Sequence, residues 1–279
     1  MTLTAAPRLL LVHAHPDDES LWTGGTIARY AAAGVQVTLV TCTLGEEGEI
    51  IPESLRELAA DAADQLGGYR IGELRAACAA LGVSDHRWLG GVGRWRDSGM
   101  VGMAANAHPR AFAGGDLAEQ ADALAAVLAD VRPQVVITYG PDGGYGHPDH
   151  IRAHEVTMAA CQDVDRVFYA VPSKAATDAG VAALAELPDL PFRLPAPGEL
   201  PAADDSLITT TIDTGDVLSV KLRALDAHST QVTVWQGTDG ACAYALSNGL
   251  AQPLPPKEFY ILGRGDGTGA DTDLFGGLA

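Results

Sequence analysis

Basic side chains are scarce in this sequence: 18 Lys and Arg stand against 36 Asp and Glu, a formal charge of −18. Such a charge repels phosphate backbones and anionic lipid surfaces, so no nucleic acid and no membrane partner is expected. Cysteine is sparse as well. Cys42, Cys78, Cys161 and Cys242 are far apart and form no CxxC pair, which argues against a thiolate zinc cluster or a disulfide framework and leaves all four as expected buried thiols. No apolar run reaches membrane-spanning length, and Met1 to Arg8 lacks the basic-then-apolar order of a signal peptide. A soluble, cytoplasmic protein is the expectation. There is no internal repeat, and the sequence leaves assembly into a homo-oligomer open.

Apolar residues make up 47% of the 279 residues, enough for one large core or a main domain with a smaller lobe. The continuous apolar run Arg8 to His13 suits a strand buried on both faces of a parallel sheet. A helix from Ser20 to Ala33 stops at Gly34, and a second apolar strand runs from Val35 to Thr43. Ala-rich helices are expected over 54–66 and 71–81, a short strand over 87–89, a helix over 117–131 and a strand over 134–139. A helix over 151–161 and a strand over 166–171 follow, then a Pro- and Ala-rich stretch over 188–203, a strand over 208–212 and a helix over 217–227.

Strands alternating with helices predict an α/β fold with a doubly wound, Rossmann-like parallel sheet over residues 1–171. Residues 172–279 are expected to form a smaller C-terminal lobe that completes the pocket, with a flexible Gly-rich tail after about residue 263. Ligands of such sheets sit beyond the carboxyl ends of the strands.

Nearly all the ionisable groups a reaction could use fall in two segments, each directly after an expected strand. One is His13-Ala-His15-Pro16-Asp17-Asp18-Glu19 and the other is Asp142-Gly143-Gly144-Tyr145-Gly146-His147-Pro148-Asp149-His150. A lone His or Asp at a strand end is usually a turn residue or a cap. Two Pro-stiffened clusters aimed at one sheet edge suit a mixed imidazole and carboxylate metal site, for zinc or for ferrous iron or another divalent cation. Spacing alone leaves both His13 and His15 as candidate ligands. The first strand-to-helix turn carries three acids where a dinucleotide binder would have G-x-G-x-x-G, which argues against nucleotide binding.

The two segments resemble the signature of the LmbE-like, or PIG-L, deacetylase family. The likeness extends to Cys42-Thr-Leu-Gly-Glu-Glu-Gly-Glu49, Gln65 to Glu73, Gly93-Arg-Trp-Arg-Asp-Ser-Gly99 and Ala227-His-Ser-Thr-Gln231, and is strongest to the branch acting on N-acetylglucosaminyl-inositol in mycothiol assembly. The resemblance implies metal ligation by His15, Asp18 and His150, with Asp17 as general base. It implies that His147 stabilises the tetrahedral oxyanion and protonates the departing amine, that Asp149 orients His147, and that Tyr145, on a Gly-rich loop, contacts the oxyanion. Arg70 and Asp97 fall where the branch holds sugar hydroxyls. A small N-acetylglucosaminyl conjugate is the implied substrate and Zn2+ the implied cofactor, with Fe2+ or another divalent metal as alternatives. His13 is left for packing, and His154 and His228 are weaker candidates. The sequence departs from the branch at Trp22 and over Pro172 to Asp205, which leaves the aglycone open: inositol, malate as in bacillithiol assembly, or the S-conjugate of a thiol amidase.

Overall fold

The computed structural model describes residues 6–237 and 240–278. Its main sheet has seven strands in the order β3-β2-β1-β4-β5-β10-β6. The strands are β1 (Arg8–His13), β2 (Gln36–Thr41), β3 (Asp85–Trp88), β4 (Val135–Tyr139), β5 (Arg166–Val171), β6 (Thr210–Asp213) and β10 (Lys257–Gly265). The first five are parallel, and β10 runs antiparallel to both β5 and β6. The sheet is therefore mixed, with one reversed strand where a wholly parallel sheet was expected. A second sheet, β7 (Thr233–Gln236), β8 (Cys242–Ala245) and β9 (Gln252–Pro253), is antiparallel.

Leu9 and Leu11 of β1 join one apolar cluster with Ile27, Leu74 and Ala224, whereas Leu10 and Val12 join another with Leu124 and Ala153. Strand alternation thus feeds two cores. Helices α1 (Asp18–Ala32), α2 (Leu66–Leu81) and α6 (Leu218–Ala227) cover one face; α3 (Leu117–Val131) and α4 (Pro148–Ala160) cover the other. Helix α5 (Lys174–Ala185) packs on β9. Because the chain moves outward from β1 to β2 and β3 and then returns to β4 at the other side of β1, the order reverses between β1 and β4. That switch point opens a crevice at their carboxyl ends.

Several expectations are corrected. Residues 54–66 form no α-helix: a 3-10 turn, Glu53–Leu58, buries no residue, so this Ala-rich stretch has no core to fold against. Helix α2 begins at Leu66, earlier than 71, since Gly67 lets its first turn approach Leu44 and Glu46, where a Cβ would lie 2.9 Å and 2.8 Å from them. Strands β6 and β10 come from beyond residue 171 yet complete the same sheet as β1 to β5. Cys242 is only partly buried, unlike the other three cysteines.

The segment after residue 263 is held rather than loose. Arg166, almost fully buried at the start of β5, donates to the carbonyls of Asp266 (2.5 Å), Thr268 (3.0 Å), Leu274 (3.0 Å) and Gly276 (2.8 Å). Leu274 and Ala270 pack into the first core. One guanidinium replaces the hydrogen-bond ladder that a Gly-rich segment does not make for itself. Arg166→Met is expected to cost about 3 kcal/mol or more in urea unfolding, because buried carbonyls left unpaired cost about 1–3 kcal/mol each. A loss below about 1 kcal/mol would show that the tail is held by its apolar contacts instead.

Candidate metal centre and active site

The two ionisable segments meet at the β1/β4 crevice. The turn after β1 carries His15 and Asp17 into α1, whose first residue is Asp18. The loop after β4 carries Tyr145 to His147, the N-cap of α4, with Pro148 in the first turn and Asp149 and His150 behind it.

Four donor atoms of three residues converge. His15 Nδ1 lies 3.4 Å from Asp18 Oδ2, His150 Nε2 lies 3.4 Å from Asp18 Oδ1, and the two imidazole nitrogens are 3.3 Å apart. Tetrahedral zinc with ligand bonds of about 2.0–2.1 Å sets its ligand atoms about 3.3 Å apart, so each of these spacings has the size such an ion needs. The remaining ring nitrogens are committed elsewhere: His150 Nδ1 bonds the Gly143 carbonyl at 3.2 Å, and His15 Nε2 faces Asp149 Oδ2 at 3.3 Å and Asp97 Oδ1 at 3.4 Å. With an ion bound, those partners would hold the protons on the outer nitrogens and leave the inner lone pairs to it.

Among the described residues, two groups have ligand atoms that all lie within 4.8 Å of one another: His15 with His147 and His150, and His15 with Asp97 and Asp149. Members of both are also engaged with backbone amides. His147 Nδ1 accepts the Asp149 amide at 3.1 Å. Asp149 Oδ2 accepts the Ser98 amide at 2.8 Å, and Asp97 Oδ1 accepts the Gly99 amide at 2.8 Å, and both carboxylates face the outer nitrogen of His15.

Asp149 therefore does not orient His147 through its carboxylate, as expected from the sequence; it orients His15. The buried helix start explains this, because Asp149 points its side chain across the crevice while only its backbone N–H meets His147. Asp97 sits beside Asp149 on the same imidazole, with Oδ2 accepting the Glu47 amide at 3.2 Å.

The charge distribution follows from these contacts. Burial alone would lower the His15 imidazole, but the Asp97 charge and the hydrogen bonds that Asp149 and Asp18 accept from the ring hold it well above its ordinary value. Burial, reinforced by neighbouring imidazoles, pushes His147 down to about 4; burial and His15 push His150 down to about 4 despite Asp18. Three imidazoles this close share one charge, and it settles on the ring facing three carboxylates. Asp18 is held well below its ordinary value, since His150 and His15 overcome its burial.

Asp17 differs from its neighbour. It has φ 118 and ψ −31, a backbone conformation that L-residues rarely adopt. Its Oδ2 accepts Arg70 Nη2 at 2.9 Å. Burial raises its carboxyl to about 7, with Asp18 adding to the rise and Arg70 opposing it. A carboxylate with this affinity for a proton suits a general base at neutral pH.

Arg70 is almost fully buried. Nη1 donates to the Gly45 carbonyl at 2.8 Å and Nη2 also donates to the Pro16 carbonyl, while Nε has no hydrogen-bond partner. The guanidinium expected to bind sugar thus holds Asp17 as well. Arg70→Ala is expected to lower kcat at least about ten-fold in addition to raising KM, because the base loses its partner. A higher KM at unchanged kcat would limit Arg70 to ground-state contacts with substrate.

Tyr145 is half-exposed, and its hydroxyl lies 3.5 Å from His150 Nε2, above the donor triangle. Its loop crosses Trp22 at Gly144, where a Cβ would come within 2.5 Å of the indole and where φ is +81. Trp22 in turn packs edge-on against Tyr139 and His150. His13 is a packing residue, bonding Tyr139 Oη at 3.1 Å and Thr23 Oγ1 at 2.9 Å. His154 bonds the Tyr139 carbonyl at 3.0 Å, away from the triangle. Sequence reasoning gave no role to Tyr139, whose ring stacks on His150 at 4.1 Å, or to Glu19, whose carboxylate accepts the Asp17 amide at 3.0 Å. An aromatic at the end of a strand that precedes a ligand cluster was the available signal. A separate concavity of about 620 Å³ at the amino ends of the strands is lined by Arg8, Gln36, Asp85 and Arg132 and lies apart from these groups.

Imidazoles and carboxylates gathered in a switch-point crevice are the donor set of a metal-dependent hydrolase, and sequence comparison gives its class. The family described as "PIG-L: GlcNAc-PI de-N-acetylase" matches residues 10–161, and the chain belongs to that family. It is 72% identical to a 1D-myo-inositol 2-acetamido-2-deoxy-alpha-D-glucopyranoside deacetylase of Actinosynnema mirum, with 100% of this chain and 99% of the relative covered. A protein of the same name, numbered 1, from Saccharopolyspora erythraea is 66% identical, with 100% and 96% covered. The N,N'-diacetylchitobiose deacetylase from Pyrococcus horikoshii shares the fold at a TM-score of 0.52 and 23% identity, over 81% of this chain and 71% of that one.

Proposed function

We propose that this protein hydrolyses the N-acetyl group of 1D-myo-inositol 2-acetamido-2-deoxy-α-D-glucopyranoside to the free amine and acetate, a step in mycothiol assembly carried out in the cytoplasm. The observation that carries the reading is the donor triangle of His15, Asp18 and His150 with Asp17 and its Arg70 partner beside it. Among the described residues no helix is long and apolar enough to cross a membrane.

Two imidazoles and one carboxylate suit zinc, and ferrous iron is the next candidate. A divalent cation held by His15, Asp18 and His150 would supply Lewis acidity toward the amide carbonyl and would acidify a water molecule. Asp17 accepts that water's proton as the oxygen bonds to the acetyl carbon. Because His147 Nδ1 accepts an amide, the neutral ring carries its proton on Nε2, and with the Tyr145 hydroxyl it donates to the oxygen that gains charge. Burial and the neighbouring imidazoles, which lower the His147 pKa, support an oxyanion-donor role for it over the acid role the resemblance implies. When the C–N bond breaks, the proton held on Asp17 passes to the leaving nitrogen. The resemblance to the family is what supports assigning Arg70 and Asp97 to the sugar hydroxyls.

Arginines near the site that could take malate carboxylates are already paired: Arg94 with Glu119, Arg96 with Asp64 (2.7 Å) and Glu47 (3.0 Å), and Arg70 with Asp17. That favours an uncharged aglycone. Assay of the purified protein with the inositol conjugate, the malate conjugate and a thiol S-conjugate is expected to give at least about ten-fold higher kcat/KM for the first. Preference for the malate conjugate would overturn the inositol assignment.

A further inference from the structure

The family match ends at residue 161, yet a side chain from far beyond it reaches the HPDDE turn. His228 follows α6 and is fully buried, with Nε2 2.6 Å from Glu19 Oε1. The loop that carries it is docked on α2, where Glu73 accepts the Thr230 amide at 2.8 Å, Thr230 Oγ1 at 2.7 Å and Ser229 Oγ at 3.2 Å. This docking fixes where His228 stands without using its ring.

Glu19 is itself fully buried and its two oxygens divide their work. Oε1 accepts His228 Nε2 and Ser20 Oγ; Oε2 accepts the backbone N–H of Asp17 at 3.0 Å. The Asp17 peptide is thereby gripped on each side. Its carbonyl accepts the amides of Ser20 and Leu21, both at 2.9 Å, its N–H is held by Glu19, and its side chain is held by Arg70. A residue at φ 118 keeps that conformation only while its surroundings over-determine it, at a cost on the order of 1–3 kcal/mol.

Removing one grip is expected to let the turn relax and displace the carboxylate. A buried histidine serving only as packing usually satisfies both ring nitrogens. Here Nδ1 is buried with no hydrogen-bond partner, so the ring's one hydrogen bond is spent on Glu19.

We propose that His228 is a positioning residue for Asp17, acting through Glu19, so that the last third of the chain sets the geometry of the base in the first turn. The inference rests on Asp17 being the general base. His228→Leu preserves bulk and removes the donor; His228→Gln keeps an N–H for Glu19. Each is to be made in the full chain and combined with Asp17→Asn, with kcat, KM, metal content and exchange of the Asp17 amide hydrogen measured together.

The expected result is a fall in kcat of about ten- to a hundred-fold for His228→Leu, with KM within two-fold, metal stoichiometric and the Asp17 amide exchanging at least about ten-fold faster. His228→Gln should restore most of kcat. In the Asp17→Asn background His228→Leu should cost less than two-fold more, because groups acting through one another are not additive. A full additional loss in that background, or unchanged exchange at Asp17, overturns the proposal while leaving Asp17 as the base. Full activity of Asp17→Asn alone would overturn both. If the Leu variant does not fold, the Gln variant decides: kcat near wild type with protected Asp17 supports the proposal, and a loss equal to that of an acceptor-blind substitution such as His228→Met sinks it.

Discussion

Alanine at His15, Asp18 or His150 is expected to yield folded protein that has lost its metal and, with it, its deacetylase activity. Each of the three supplies one corner of the donor triangle, and a three-ligand open site has none to spare. Asp17→Asn and His147→Ala should behave differently. They touch the reacting atoms without holding the cation, so both should keep stoichiometric metal while kcat falls by about 10²–10⁴, the span usual for acid–base and oxyanion-donor groups. Chelation of the wild type should abolish activity, and zinc or another divalent cation should restore it. Metal analysis beside kinetics on the five variants is the check. A metal-free Asp17→Asn protein, or a His150→Ala protein that keeps metal and activity, would overturn the assignment. In the Asp17 series the acid limb of kcat/KM should change first: protonating a carboxyl raised to about 7 removes the base, so activity declines as pH falls below neutrality.

Metal binding at neutral pH is expected to expel a proton, and affinity should weaken about ten-fold for each unit the pH is lowered. The cause is His15. Its imidazole, raised well above its ordinary value by Asp97, Asp149 and Asp18, is charged at pH 7 in the metal-free protein, whereas ligation needs Nδ1 unprotonated. The same shift has an opposite sign for folding of the metal-free chain. A raised histidine contributes stability that is fully present below about pH 6.5, its ordinary value, and is lost as the pH rises through the raised one. The depressed carboxyls of Asp18 and Asp97 contribute stability above about pH 3.9 that disappears as the pH falls through their lowered values. Titration calorimetry in two buffers of different ionisation enthalpy measures the proton directly. Equal heats in both would show that His15 is neutral before the metal arrives.

The central sheet was legible because its signals are local. The runs at 8–13 and 166–171 are strands with the expected limits, and the helix over 117–131 has its Asp116 cap. The two ionisable clusters were legible for the same reason, each lying directly after an apolar strand. What escaped depends on contacts distant in sequence. The early start of α2 needs Leu44 and Glu46 to meet Gly67, the ordering of the tail needs Arg166, and the strand β10 has to find β5 from across residues 172–256. Within the site, the spacing of Asp149 and His147 suggested a pair, but helix geometry turns the Asp149 carboxylate toward His15. Arg70 was expected among the sugar contacts, and its hold on Asp17 follows only from the approach of α2 to the turn after β1. The resemblance at residues 227–231 marked His228 without revealing its partner, since Glu19 lies 209 residues earlier.

The place of β10 has a consequence for synthesis on the ribosome. Because β10 inserts between β5 and β6, the open edge of β5 stays unpaired while residues 172–256 emerge, and β6 has no place in the sheet until β10 arrives. Through that interval the nascent chain carries an unprotected strand edge of six residues, Arg166–Val171, of the kind that invites pairing with a neighbouring chain. Arg166 also waits, charged and without its four carbonyls, at the start of the same strand. Its charge discourages association there until the native partner strand and tail close over it together.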